Sequence, residues 1–174
     1  MKNRKIVRPA SKSVGAPDAF DRKILAALTE DSRRSFAEIG AAAGLSAPAV
    51  FERVKRLRKS GALKGTTTRL DGAAIGKPLL AFVHVDAEGW GKGERMMALR
   101  AYPEVEEMHS VAGDSSVILK VRTADSHALE NLLAQIYAVP GVRGTTSYIV
   151  LSTYLERPIQ PHATENWPEP KPST

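Results

Sequence analysis

Three consecutive residues, Gly44-Leu45-Ser46, constrain the fold of this chain more than any other feature. Gly44 ends one apolar-periodic segment as a left-handed C-terminal glycine would. Ser46 opens the next as an N-cap, with Pro48 in its first turn, where a missing N–H costs little. Upstream, Ser35 and Glu38 have the spacing of a capping box, and Phe36, Ile39 and Ala43 share one face. Earlier still, Phe20, Ile24, Leu25 and Leu28 recur at helical spacing after Pro17-Asp18, and that helix should end near Asp31. After the corner, a helix is expected from about Ala47 to Ser60, with Val50, Val54 and Leu57 as its stripe and Gly61 as its stop. Short helices joined by so tight a turn are the helix-turn-helix arrangement. Leu63–Leu70, with Thr66, Thr67 and Thr68, is expected to add a β-branched strand or wing.

The charge distribution gives this arrangement a direction. Residues 1–76 hold 16 Lys+Arg against 7 Asp+Glu, whereas the rest hold 9 against 12. A basic half joined to a mildly acidic half fits a polyanion-binding module beside a module with another task. At 100° per residue, with Val50 as origin, Val54 and Leu57 lie within about 40° of it and face the core. Pro48, Glu52, Lys55 and Lys59 lie near the opposite side, flanked by Phe51, Arg56 and Arg58. N-terminal residues of such a helix reach base edges in the major groove of double-stranded DNA, while later cations meet phosphate. Ser46, Ala47, Pro48, Ala49, Phe51 and Glu52 are therefore candidate base readers. Glu52 is suited to cytosine N4, and Phe51 or Ala49 to a thymine methyl. Arg53, Lys55, Arg56 and Lys59 are candidate phosphate contacts. The basic arm over 1–16 (Lys2, Arg4, Lys5, Arg8, Lys12) either adds phosphate contacts or is a solubilising tail.

The second half has another rhythm. Strands are expected over Leu79–Val85, Val105–Val111, Ser116–Val121 and Val142–Leu155. Helices are expected over Lys92–Tyr102 and Asp125–Tyr137, with turns at Gly113-Asp114 and Pro140-Gly141. The order β-α-β-β-α-β is that of a ferredoxin-like unit. The chain is thus expected to be α+β: a winged helix-turn-helix over 17–71, a linker over 72–78, a ferredoxin-like domain over 79–156 and a proline-rich tail over 157–174 that dangles. Two helices cannot cover both faces of such a sheet. Leu80, Phe82, Ser116 and Ile118 would remain on an open face, and C2 pairing with a second copy is the economical cover.

Several chemistries drop out. The chain has no cysteine, which removes disulfides, thiolate catalysis and cysteine-bound metals. No P-loop, GxSxG, dinucleotide fingerprint or zinc motif is present, so no cofactor and no metal site is expected, and no catalytic residue is assigned. His84, His109 and His127 lack paired ligand spacing. The longest apolar run, Leu79–Val85, includes His84 and is far short of the roughly 20 residues a bilayer needs. The start is basic with no apolar stretch behind it, so a cytoplasmic protein is expected rather than a secreted one.

Asp21-Arg22-Lys23-Ile24-Leu25, Leu45-Ser46, Glu52-Arg53-Val54-Lys55-Arg56-Leu57 and Gly61, followed by Ala112-Gly113-Asp114 and Pro140-Gly141-Val142, resemble the Lrp/AsnC (feast/famine) family of transcriptional regulators over about residues 18–155. The resemblance implies dimers through the sheets, then tetramers or octamers, and a small-molecule effector such as an amino acid bound near the loop before the third strand. Carried across, that loop gives His109, Gly113, Asp114, Ser115 and Ser116 as candidate effector-binding residues. The chain departs from the family at Ser115 and Ser116, where an aromatic residue and an aspartate are usual. Either the ligand differs, with Asp114 the nearby carboxylate, or Gly113-Asp114 is simply a hairpin turn. Two other readings share the two-part plan: an effector-independent architectural DNA-binding protein, and a sirohaem-decarboxylase-like enzyme using His84 and His109.

Overall fold

The computed structural model describes residues 16–88 and 93–165. They form two compact units. One holds the N-terminal helices as far as Thr67 together with the segment from Arg157, and the other is Thr68–Glu156. The basic arm up to residue 15, the expected helix start at Lys92 and the tail beyond Glu165 lie outside the described residues.

In the helical unit, α1 spans Ala19–Glu30, α2 Phe36–Ala43 and α3 Ala47–Ser60. Each begins on a side-chain cap that satisfies an N–H with no partner inside the helix. Asp18 accepts from the Asp21 N–H while Asp21 accepts from the Asp18 N–H. Ser35 and Glu38 repeat that box at α2, and Ser46 caps α3 through the Ala49 N–H. At the corner, Gly44 sits at φ 74° and the Leu45 N–H donates to the Gly40 carbonyl at 2.9 Å. A Cβ on Gly40 would lie 2.5 Å from the Leu45 carbonyl oxygen, so the corner requires glycine at two positions rather than one. Ile24, Ala27, Ile39, Val50, Val54 and Leu57 form the core.

The expected wing is absent: Leu63–Leu70 carries no strand. The Leu63 N–H turns back to the Leu57 carbonyl beyond Gly61, and the chain then runs on without a sheet partner. Threonines favour extended backbone, but a strand also needs a partner strand for its N–H and C=O groups, and the helical unit has none among its described residues. From Arg157 to Glu165 the tail has no regular structure, yet the Arg22 guanidinium donates to the Pro161 carbonyl at 2.7 Å.

The second unit contains β1 (Leu79–Ala87), α4 (Glu94–Met97) running into a 3₁₀ turn at Ala98–Ala101, β2 (Val105–Ser110), β3 (Val117–Thr123), α5 (Ser126–Tyr137) and β4 (Val142–Ile149). The sheet order is β2-β3-β1-β4, antiparallel throughout. Ala81, Val83, Val85 and Ala87 alternate with outward residues on β1. Val117, Leu119 and Val121 do the same on β3, and both rows pack under Leu99, Leu129, Leu132 and Ile136. Two expected elements are shorter than their patterns suggested. Helix α4 tightens into a 3₁₀ turn before Pro103, and β4 stops at Ile149 instead of reaching Leu155. Beyond Ile149 the register on β1 is nearly used up, because Ala81 already faces Ile149, only Leu79 and Leu80 remain, and Val150 makes the last hydrogen bond, to the Leu80 carbonyl.

Candidate nucleic-acid interface and ligand cavity

The two faces of α3 differ sharply. Val50, Val54 and Leu57 are buried, while Ser46, Pro48, Glu52, Lys55 and Lys59 are exposed. Ala47 and Ala49 are half-buried. Phe51 is 49% exposed and meets Phe36 edge to face at 5.9 Å between ring centres, so part of its ring is already committed to α2. Glu52, Lys55 and Lys59 form no ion pair with the described residues.

Arg53 and Arg56 are placed differently from the lysines. Arg53 Nη1 donates to Asp18 Oδ2 at 2.7 Å and to Asp21 Oδ1 at 2.9 Å, and its guanidinium lies 5.3 Å from the Phe20 ring centre. Arg56 Nη2 donates to both Asp21 oxygens, at 2.8 and 2.9 Å. The Arg53 hydrogen bond holds the Asp18 carboxyl below its ordinary range, helped by the Asp21 N–H. Reciprocally, Asp18 and then Asp21 raise Arg53. The two arginines therefore lie along the edge of α3 that faces α1, tied to carboxylates. A usable signal was present in the sequence: Arg53 and Arg56 are three apart on one flank of α3, as Asp18 and Asp21 are at the start of α1.

On the sheet unit, a cavity of about 700 Å³ opens where the loop before β3 meets β1 and β4. Gly113, Asp114 and Ser115 line it. His109 and Ser116 do not. His109 Nε2 lies 3.0 Å from Glu107 on exposed β2, and the Ser116 hydroxyl is tied to the Ala87 backbone. Sequence reasoning about the loop alone missed the walls that other elements bring, chiefly His84 and Asp86 of β1, Tyr137 at the end of α5 and Tyr148 of β4. His84 Nδ1 is 3.2 Å from Ser115 Oγ, and its ring centre is 4.9 Å from that of Tyr148. The register sets Ile118 between His84 and His109, so the two histidines stand two strand spacings apart, about 10 Å, and do not converge. Among the described residues no three His, Asp or Glu side chains gather as a metal site.

A helix-turn-helix ahead of a four-stranded ferredoxin-like sheet defines a class of two-part DNA-binding regulators. The comparisons place the chain within that class. The AsnC-type helix-turn-helix domain matches residues 18–58, and the Lrp/AsnC ligand binding domain matches residues 80–160. The chain is 37% identical over 139 residues to the HTH-type transcriptional regulator FL11 of Pyrococcus horikoshii, covering 80% of this chain and 92% of the relative. The structure of Escherichia coli AsnC superposes with a TM-score of 0.76 at 25% identity, covering 82% of this chain and 97% of that one. The feast or famine regulatory protein of Mycobacterium tuberculosis complexed with L-methionine gives 0.74 at 37% identity, covering 81% and 96%. The chain belongs to the Lrp/AsnC family. It is a DNA-binding transcriptional regulator, not an enzyme.

Proposed function

We propose that the protein is a homodimer, with dimers joining into tetramers or octamers. Its paired α3 helices read a pseudo-palindromic site on double-stranded DNA, under the control of a small molecule such as an amino acid. The observation that carries the DNA reading is the partition of α3, with one stripe buried in the core and Pro48, Glu52, Lys55 and Lys59 turned to solvent. In this reading Ser46, Ala47, Pro48, Ala49, Phe51 and Glu52 approach base edges, and Lys55 and Lys59 neutralise phosphates. Its place of action is the cytoplasm, where a DNA-binding regulator meets its target. No helix among the described residues is long and apolar enough to cross a membrane.

The self-association is supported by the uncovered sheet face. Phe82 and Tyr148 are exposed there, and Leu151 and Tyr154 beyond β4 are 94% and 98% exposed. Apolar surface of that extent in a soluble chain asks for a partner, and a second copy supplies a complementary one by symmetry. The effector reading is supported by the cavity at Gly113, Asp114 and Ser115, and by the L-methionine complex of the Mycobacterium tuberculosis relative. Asp114 would meet an ammonium group, and the backbone at Gly113 a carboxylate.

Fluorescence anisotropy of a labelled duplex across a salt series tests the DNA reading. Affinity should fall linearly with salt on logarithmic axes, and Lys55→Gln or Lys59→Gln, each removing two lysines per dimer, should each lower that slope by about 1.8 on every duplex. Equal affinity for random DNA and for a duplex enriched from a random pool would make the protein architectural instead. Sedimentation with each of the standard amino acids, L-methionine first, tests the effector. If none of them changes assembly or DNA affinity, the regulatory half of this reading fails.

A further inference from the structure

Among the described residues Asp21 is one of only two buried polar side chains, at 4% exposure, and the proposed DNA-reading face does not use it. A carboxylate is removed from water only where donors replace its hydration. Here four do. The Asp18 N–H reaches Oδ2, Arg53 reaches Oδ1, and Arg56 Nη2 reaches both oxygens. One side chain thus joins the start of α1 to two successive turns of α3.

We propose that Asp21 is a specificity-determining positioning residue of the DNA-binding unit: its carboxylate, with that of Asp18, holds Arg53 and Arg56 along one edge of α3 and withholds both cations from phosphate. The inference rests on the reading that α3 binds DNA, and it deepens that reading by sorting the helix's cations. Non-specific affinity is supplied by cations free to neutralise phosphate. Discrimination is the ratio of specific to non-specific binding. A regulator whose reading helix carried five free cations would grip any duplex. Pairing two of them internally lowers that sequence-blind grip, and the same pairs fix the angle at which Pro48 and Glu52 are presented. Arg56 is 51% exposed and meets no other carboxylate among the described residues, so Asp21 alone decides whether it is available. Arg53 keeps Asp18 when Asp21 is neutralised.

The test uses the full-length protein, a random-sequence duplex and a duplex enriched by the wild type from a random pool, each followed by anisotropy from 50 to 200 mM salt. Asp21→Asn frees one cation in each protomer, so it should steepen the salt slope of a bound dimer on random DNA by about 1.8, which is about 12-fold across that range, and should lower the enriched-to-random affinity ratio. Asp18→Asn with Asp21→Asn frees both arginines in each protomer and should steepen it by about 3.6, since asparagine still caps α1. A residue with only a structural role would reduce both affinities together and leave the slope unchanged, and that result overturns the proposal. Arg56→Gln tests the same point without touching the buried carboxylate. The proposal requires a slope change below about 0.6 per bound dimer, against about 1.8 for Lys55→Gln. Equal losses from the two substitutions overturn it. If the wild type binds neither duplex at 50 mM salt, the DNA reading itself falls and the inference with it. If the wild type binds while the variants show no slope change, the inference alone falls.

Discussion

The two units place their charged side chains in opposite ways. In the helical unit the ion pairs that involve a buried carboxylate lie between elements: Asp21, with Asp18 beside it at the α1 start, clasps Arg53 and Arg56 of α3, across 32 to 35 residues of sequence. In the sheet unit they lie on one surface. Arg122 and Lys120 of β3 meet Glu106 at 2.6 and 3.1 Å, Lys120 also meets Glu107, and Glu107 meets His109. The reason is core size. A six-residue helical core leaves little area to fix the angle between two helices, so charge pairs at its rim do part of that task. The sheet unit buries twelve residues under two helical segments and has its strand geometry set by backbone hydrogen bonds, so its charges are free to decorate the open face. Burial therefore dominates the stability of one unit, whereas in the other geometry rests on a few particular contacts.

The largest expected effect comes from the larger core. Leu119 is fully buried at the centre of β3, so Leu119→Ala should cost about 2–5 kcal/mol. Amide hydrogen exchange should then accelerate across β1 and β3. A change under about 1 kcal/mol would mean that the core is less well packed than its burial implies. Next in size is Gly40→Ala. Its Cβ meets backbone, the Leu45 carbonyl oxygen at 2.5 Å, and backbone cannot rotate away as a side chain can. Overpacking of this kind costs about 1–3 kcal/mol. Here the loss should appear as faster exchange in α2 and α3 and weaker DNA binding, with the β1 and β3 amides unmoved. Equal protection in both proteins would show that the corner relaxes without strain.

The corner was legible in sequence because its signals are local. A capping box, a left-handed glycine and a proline in a first turn act within four residues, and all three helices follow their patterns closely. The two faces of the sheet were legible because alternation on β1 and β3 separates a covered face from an open one. What escaped depends on partners distant in sequence. Thr66-Thr67-Thr68 has strand propensity with no strand beside it, and Val150–Leu155 continues an apolar pattern after its neighbour's register has run out. The cavity was half legible. The loop gave Gly113, Asp114 and Ser115, but His84 and Tyr148 enter it only through cross-strand pairing. Arg53 and Arg56 were legible as cations flanking the outward face of α3, but their carboxylate partners were not, because a helical wheel shows which side a residue faces and not which side chain of another helix lies there.

The smallest effect is also the one that separates the two uses of charge. Asp18 lies below its ordinary value chiefly through the Arg53 hydrogen bond. Glu107 lies below its own through His109, with burial opposing and Lys120 reinforcing. A carboxyl whose folded pKa is depressed contributes stability that is complete above its unfolded value. That stability fades as pH falls from there through the folded value. Both units should thus weaken as pH falls from the ordinary carboxylate range toward the lower folded values. The consequences differ in place. Protonating Asp18 loosens the α1–α3 clasp, so Asp18→Asn, which keeps the helix cap, should flatten the acid-induced rise in exchange at the α1 amides. Protonating Glu107 weakens its contact with His109 and leaves Lys120 to Glu106 alone on the open face, so Glu107→Gln should flatten the corresponding change at β2 and leave α1 untouched. Acid exchange profiles of α1 identical in wild type and Asp18→Asn would show that the clasp fixes an angle without contributing measurable stability.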